Sequence, residues 1–486
     1  MLIPVAMFFL PPKAPGTRQQ RIRQLVIDGI MAGLFRSGDK LPSSRALATH
    51  LGLARITVTL AYAELVAADY LTARGRSGYY VSDSAPRQPE FVTNQKVKRD
   101  AVDYVALTGS RFSRQLMVRK PADWREYPYP FIYGQADATL FDHQNWRLCA
   151  LQALGRRDFA AMTTDYHDTD DAMLIDVIIR TLLPRRGIVA SPDQVLLTLG
   201  AQNGLWLAAQ VLLGQGRRAA IENPCYPGLR QVLGLNEAQV FSVDVDTQGL
   251  PPDRLPRRVD VVFTTASHHC PTNATMPLDR RLALLQAASS RDFVIVEDDY
   301  EFEMSFLKSV SPSLKSLDTE GRVIHAGSFS KSLFPGLRLG YLVGPEAFIH
   351  EARALRSAVL RHPPGHTQRT VAYFLGLGHY DALINRMKSA YKRRRLIMEE
   401  SIADVGLKVA GRGAFGGSSF WMEASGVDTT MLAARLRDEG VLIEPGAAFY
   451  ATQAPCSFYR LAYSSIAPAR IPDGLMLIGR ALDLLA

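Results

Sequence analysis

Cysteine is scarce in this chain, and the four present (Cys149, Cys225, Cys270 and Cys456) lie far apart with no Cys-x-x-Cys pair. That spacing excludes a disulfide framework and a zinc module, and it fits a reducing cytoplasm. A secretory or spanning segment is also lacking. The apolar start, MLIPVAMFFL, has no basic flank and runs into Pro11 and Pro12. It is too short for a bilayer and poor as a signal peptide, so it reads as a capping strand or arm. No internal repeat and no low-complexity tract is present. Acidic residues are few only at the amino end. Residues 1–82 carry ten Lys/Arg against four Asp/Glu, a net of +6, whereas the remaining 404 residues net only +3. A small basic module on a near-neutral body suits a polyanionic partner.

What is there divides into three zones. The length of 486 residues suits about three domains, and 47% apolar with 21% charged residues is ordinary for a folded protein. Residues 1–82 form a compact pattern of helices and a hairpin, 83–126 are polar, basic and turn-rich like a linker, and 127–486 form a larger body. In that body, short apolar runs such as QVLLTLGA (194–201), VDVVFTTA (259–266) and DFVIVEDD (292–299) alternate with amphipathic patterns. This alternation predicts a largely parallel α/β sheet, with a large subdomain over about 170–385 and a small one from the flanks.

In the amino-terminal zone, RQQRIRQLVIDGIMAG (18–33) places Ile22, Leu25, Val26 and Ile30 on one helical face. Gly38 and Pro42 break the chain. A serine-capped helix (43–51), a tight turn at Gly52 and a second helix (54–68) follow, which is a helix-turn-helix. YLTARGRSGYYV (70–81) reads as two β-prone segments around a basic glycine turn. These stretches, G-D-K-L-P-S-S-R, L-G-x-x-R-x-T-V and R-G-x-S-G-Y-Y-V, resemble the GntR superfamily of winged-helix regulators. The resemblance implies DNA contacts from Arg45, Arg55, Thr57 and Thr59, and from Arg74, Arg76 and Gly78 at the wing. Ala54 stands where that family often has Ser or Thr, which removes one phosphate contact.

The body carries GSFSKSLFPGLRLGY (327–341), with Ser328, Ser330, Lys331 and Arg338 at fixed offsets. A lysine amine can form a Schiff base with an aldehyde cofactor, and hydroxyls with a guanidinium grip a phosphate. Pyridoxal phosphate (PLP) is the cofactor that needs both. TLGAQNGL (198–205) reads as strand, glycine turn and helix start, so the amides of Ala201 and Gln202 would face a phosphate. Tyr226 in ENPCYPG offers a stacking ring. EDDY (297–300) ends an apolar strand where α/β sheets bind ligands. A carboxylate there, Asp298 or Asp299, can pair with the pyridinium nitrogen, and Tyr300 can hydrogen-bond the cofactor's phenolic oxygen.

Together with FIYGQADATLFDHQNWR (131–147) and YRLAYS (459–464), these elements resemble fold-type I aminotransferases of class I over roughly residues 130–486. The resemblance implies that Asp298 rather than Asp299 meets the pyridinium nitrogen, and that Arg460 binds a substrate carboxylate by a bidentate fork. The departures matter as much. SHHCPTNATM (267–276) replaces the usual N-P-T-G context, with Cys270 for the asparagine and Asn273 for the glycine. With the fused amino-terminal module, the whole chain resembles the MocR/GabR family of PLP-dependent transcription regulators.

Two further motifs are decoys. GRGAFGG (411–417) matches a dinucleotide fingerprint but is followed by the strand-like FWME rather than a helix, and the basic run Lys392 to Arg395 reads as a solvated helix face. His268, His269 and Cys270 are too close in sequence to converge on one ion, so no metal is expected.

The resemblance implies a cytoplasmic regulator that binds double-stranded DNA at paired half-sites as a homodimer, with domain-swapped packing. It would sense a primary amine or amino acid through external aldimine formation with PLP on Lys331. γ-Aminobutyrate, taurine, a diaminobutyrate-type compound or another amino acid would suit such a pocket with one arginine. Two alternatives stay open: a working aminotransferase with an attached DNA module, and a sensor of PLP itself.

Overall fold

A computed structural model describes residues 1–10, 15–86, 102–109, 120–135, 137–165, 167–308, 311–452 and 456–485; of Arg76 the backbone alone is described. Most of the stretch read as linker, 87–101 and 110–119, lies outside the described residues. The chain splits into two units, Met1–Gly109 and Ser110–Ala486.

In the first unit, α1 (Arg18–Met31) starts at a capping box between Thr17 and Gln20 and buries Ile22, Val26 and Ile30. α2 (Ser44–Leu51) is capped by Ser43 and ends at Gly52, whose φ of +64° is the left-handed stop that glycine supplies at least cost. α3 (Arg55–Ala67) buries Val58, Ala61, Tyr62 and Leu65, while its N-cap, Ala54, offers no side-chain bond. Leu71–Ala73 and Tyr79–Val81 pair antiparallel, closing the winged helix expected from the sequence. The apolar start is an arm on this unit. Ile3 N donates to the Lys40 carbonyl at 2.8 Å, and the buried Phe8 stacks on Phe35 at 5.4 Å. Gly29 makes room for Phe35, whose ring lies 2.2 Å from where a Cβ on Gly29 would sit.

In the second unit, a seven-stranded sheet runs Val195–Thr198, Gly340–Val343, Val323–Ser328, Val294–Asp299, Val261–Thr264, Arg218–Asn223, Gln239–Asp244. Gly340–Val343 runs opposite to the other six strands. The parallel strands are apolar and largely buried because helices cover both faces, the reason their sequences do not alternate. A smaller antiparallel sheet joins Lys408–Arg412, Ser419–Glu423, Phe458–Ala462 and Glu444–Pro445. GRGAFGG connects the first two of these, so it opens a strand and not a helix.

The basic run on the long helix His379–Val405 is not uniformly solvated. Lys392 and Arg393 are exposed, but Arg394 and Arg395 are buried. Arg394 pairs with Asp137 and donates to the Ser464 carbonyl at 2.6 Å, and Arg395 donates to the Gly416 carbonyl at 2.8 Å. Consecutive helical residues turn about 100° apart, so one run of four reaches both water and core. Among the described residues, no helix is long and apolar enough to cross a membrane.

Candidate functional site

The carboxyl end of the main sheet is shaped by three local events. The strand Val323–Ser328 delivers Ser328, and the chain then turns through Ser330 and Lys331. The strand Val294–Asp299 delivers Asp298, with Tyr300 next along the chain. Gly200, at φ +85°, turns the chain into the helix Ala201–Leu212, whose first amides have no side-chain cap. These close on a cavity of about 280 Å³ lined by Ala201, Gln202, Tyr226, Asp298, Tyr300, Ser328, Ser330, Lys331, Arg338 and Arg460. Every cofactor and effector residue read from the sequence lines this one space. Lys120, Tyr133, Cys270, Glu444 and Phe449 line it as well.

Lys331 Nζ lies 4.1 Å from the Tyr133 ring centroid. Removal from water, and then the charge of Lys120, pull its pKa down to about 8, which leaves a useful fraction of nucleophilic neutral amine. Burial, then Asp299, pushes the Asp298 carboxyl up to about 7. Among the described residues, its Oδ1 is buried without a hydrogen-bond partner. Asp299 is already taken: its Oδ2 accepts from Arg186 Nε at 2.6 Å. Burial raises the Asp299 carboxyl, but the Arg186 and His325 charges bring it below the ordinary range.

Around the helix start, Arg338 Nη2 donates to the Leu199 carbonyl at 2.9 Å, and Arg338 itself sits at φ +52°. A Cβ on Gly200 would come within 3.4 Å of that guanidinium. Ser330 N donates to Ser328 Oγ at 3.2 Å. Tyr226 Oη donates to Gln202 Oε1 at 3.4 Å, and burial raises its phenol to about 12. Tyr300 Oη donates to the His268 carbonyl at 2.8 Å, so its proton is committed and its oxygen can only accept.

Arg460 meets a carboxylate that the sequence reading missed. Its Nε donates to Glu444 Oε2 at 2.7 Å, and the two are direct partners on neighbouring strands. The guanidinium also lies 4.1 Å from the Tyr133 ring and 4.8 Å from the Phe449 ring, and Nη1 is 3.6 Å from Cys270 Sγ. The Cys270 thiol is pushed up to about 12 by burial, so it is a neutral, weak donor. Tyr133 was within reach of sequence reasoning, since it lies in the quoted FIYGQ stretch. Glu444 and Lys120 carried no signal, because a lone acid and a lone base in turn-rich segments look like surface.

On the winged helix, Arg45, Arg55 and Arg74 are exposed, whereas Thr57 and Thr59 are half-buried. Arg55 Nε reaches Ser44 Oγ at 3.4 Å, which holds the ends of α2 and α3 together. Thr59 Oγ1 donates back to the Arg55 carbonyl at 3.0 Å, leaving its oxygen to accept. Gly78 takes φ +108° at the wing. Arg74 lies over the Tyr80 ring at 4.6 Å, and Lys40 approaches the same ring at 5.8 Å, adding a base the sequence reading had not singled out.

Comparison with known proteins agrees with both units. Residues 18–81 match the family described as bacterial regulatory proteins, gntR family, and residues 143–472 match aminotransferase class I and II. The HTH-type transcriptional regulator TauR of Rhodobacter capsulatus is 62% identical over 486 residues, covering 99% of this chain and 100% of that one. The probable rhizopine catabolism regulatory protein MocR of Rhizobium meliloti is 30% identical over 370 residues, covering 76% of this chain and 73% of that one. The chain belongs to the MocR-type transcription regulators. Its MocR-type body also superposes on a kynurenine aminotransferase of Pyrococcus horikoshii solved in complex with PMP. The TM-score is 0.68 at 26% identity, over 75% of this chain and 95% of that one. A MocR-type regulator is thus a DNA reader of the GntR type carrying a fold-type I aminotransferase domain.

Proposed function

We propose that this regulator binds PLP at Lys331 and answers to a primary amine or amino acid. One observation carries the reading: a lysine, an unpartnered buried carboxylate oxygen and an uncapped helix start line the same cavity. The residues fit the cofactor. Ser328, Ser330, Arg338 and the amides of Ala201 and Gln202 would hold its phosphate. Asp298 would accept from its ring nitrogen, and Tyr226 and Tyr300 would flank its ring. PLP supplies a carbonyl carbon for which Lys331 and an incoming amine compete. Arg460 binds the acid group of the amine, Tyr133 packs against Lys331 and Arg460, and Lys331 leaves as a free amine when displaced.

Cys270 favours sensing over turnover, because a high-pKa thiol replaces an amide donor beside the site. Displacement of Lys331 would shift DNA affinity through a coupling of about 1–3 kcal/mol. A homodimer would present two winged helices to half-sites spaced by whole helical turns of about 34–36 Å.

Spectral titration of purified protein with a panel of amines tests the reading. The visible band should be present in wild type, absent in Lys331→Ala, and altered by an amine that also changes DNA affinity. A band that survives Lys331→Ala would defeat the site. Steady keto-acid formation at ordinary enzymatic rates would replace sensing with catalysis. A DNA response to PLP alone, and to no amine added to the saturated protein, would make the cofactor itself the signal.

A further inference from the structure

The cavity contains a charge arrangement that the proposed function leaves unused. Glu444 lies between two cations: Oε2 accepts from Arg460 Nε at 2.7 Å, and Oε1 lies 4.0 Å from Lys120 Nζ. Glu444 is 2% exposed and Arg460 6% exposed, so neither charge is screened by bulk water. Lys120 also donates to the backbone carbonyl of Tyr133, the residue whose ring lies 4.1 Å from both Lys331 Nζ and Arg460 Cζ. Lys120 lies ahead of residues 143–472, the span matched by the aminotransferase class I and II family.

Arg460 commits its Nε edge to Glu444, so an arriving acid group meets only the outer nitrogens of the guanidinium. Lys120 has three donors, of which the Tyr133 carbonyl takes one, and its side chain is 28% exposed on the cavity wall. At this end of the cavity Lys120 and Arg460 face one carboxylate, Glu444, which leaves one positive charge there; Lys331, Arg338 and Asp298 on the same lining are those the cofactor would engage. A buried charge without a partner is costly, and one incoming anion cancels it. A plain amine leaves that charge uncompensated, and a second acid group would bring an anion with no cation to meet it.

We infer that Lys120 and Arg460 together hold the acid group of the effector, with Glu444 as the resident counter-charge, so that the site selects primary amines bearing one acid group. The inference rests on the amine-sensing reading above. Glu444 keeps the guanidinium and ammonium ordered before the effector arrives, which lowers the entropy lost on binding. Lys120 is a specificity-determining residue whose charge also helps to hold the Lys331 pKa down.

The test uses the full-length protein loaded with PLP and three classes of probe. 4-Aminobutanoate, 2-aminoethanesulfonate and L-alanine carry one acid group, butylamine and ethylamine carry none, and L-glutamate carries two. Half-saturation is read from the cofactor absorbance, and DNA affinity serves as a second readout. Lys120→Met should weaken the single-acid probes that bind wild type by about tenfold or more relative to the plain amines, the loss of one charge-assisted bond, while a change shared by all amines reports the Lys331 pKa that the Lys120 charge lowers. Lys120→Arg should restore most of the loss, and Glu444→Gln should shift preference toward L-glutamate. A visible cofactor band in each variant before amine is added shows that the fold and the Lys331 linkage are intact. If Lys120→Met weakens acid-bearing and plain amines alike, or neither, the inference is overturned while amine sensing stands. If wild type responds to no probe, amine sensing itself fails and the inference goes with it.

Discussion

Arg186 Nε donates to Asp299 Oδ2 at 2.6 Å, with both side chains 1% exposed, behind the strand residue whose neighbour, Asp298, lines the cavity. Successive residues of a strand face opposite sides, so two adjacent aspartates acquire unrelated roles. The Arg186 guanidinium also donates to the Ser267 hydroxyl at 2.8 Å and the Ser311 carbonyl at 2.9 Å. Asp299→Asn should therefore lower stability by about 3–5 kcal/mol, because it leaves Arg186 charged and buried. Denaturant unfolding of the cofactor-free protein checks this.

Asp298 should show the opposite behaviour. Its carboxyl titrates near 7 when folded, against a usual 3.8. A carboxyl raised on folding contributes stability at low pH that is lost as pH climbs from about 4 through 7. Asp298→Asn removes that dependence. The cofactor-free variant should match wild type near pH 4 and exceed it above pH 7, by at most roughly 4 kcal/mol from about three pKa steps. The same variant should bind PLP more weakly, since the ring nitrogen loses its partner. A variant less stable than wild type above pH 7 contradicts the assignment of an unpartnered carboxylate.

Gly134 lies against the end of the Lys331 side chain. It has φ +72°, and a Cβ there would fall 1.9 Å from Lys331 Nζ. Gly134→Ala should lose about 1 kcal/mol of stability from the backbone and push the lysine aside. The expected signature is a weakened visible cofactor band in a protein that still unfolds cooperatively.

Ala54 offers a gain. It occupies the N-cap of α3 with extended dihedrals, φ −66° and ψ 137°, and no side-chain bond. Ala54→Ser should stabilise the winged helix by about 1 kcal/mol through a bond to a free amide of the first turn. Thermal unfolding followed on the amino-terminal transition would show it, and DNA affinity should rise if the hydroxyl also reaches a phosphate.

DNA binding should fall steeply with salt. Arg45→Ala, at an exposed position on α2, should reduce the slope of log affinity against log salt by about 1 at all sequences alike. A change confined to one operator sequence would assign Arg45 to base reading.

Much of this protein was legible along the chain. The capped helices and the glycine stop at Gly52 depend on interactions within a few residues, so local sequence specifies them. The stretch from Ser328 to Arg338 is likewise one loop at the end of one strand. The basic run at Lys392 to Arg395 misled, because its outward and inward members differ only by their angle around the helix, and their partners Asp137 and Ser464 are far away in sequence.

The sequence by itself determined a winged helix joined to an aminotransferase-type sheet, and the residue types able to grip PLP, because periodicity, caps and glycine turns act over short range. Only the tertiary structure decided which aspartate faces the cavity, since Arg186 is 113 residues from Asp299 and must be folded against it to claim it. It likewise brought Lys120 and Glu444 to Arg460. Electrostatic partnership falls with distance in space and is blind to distance along the chain, so the charge balance of the pocket exists only once the strands are packed.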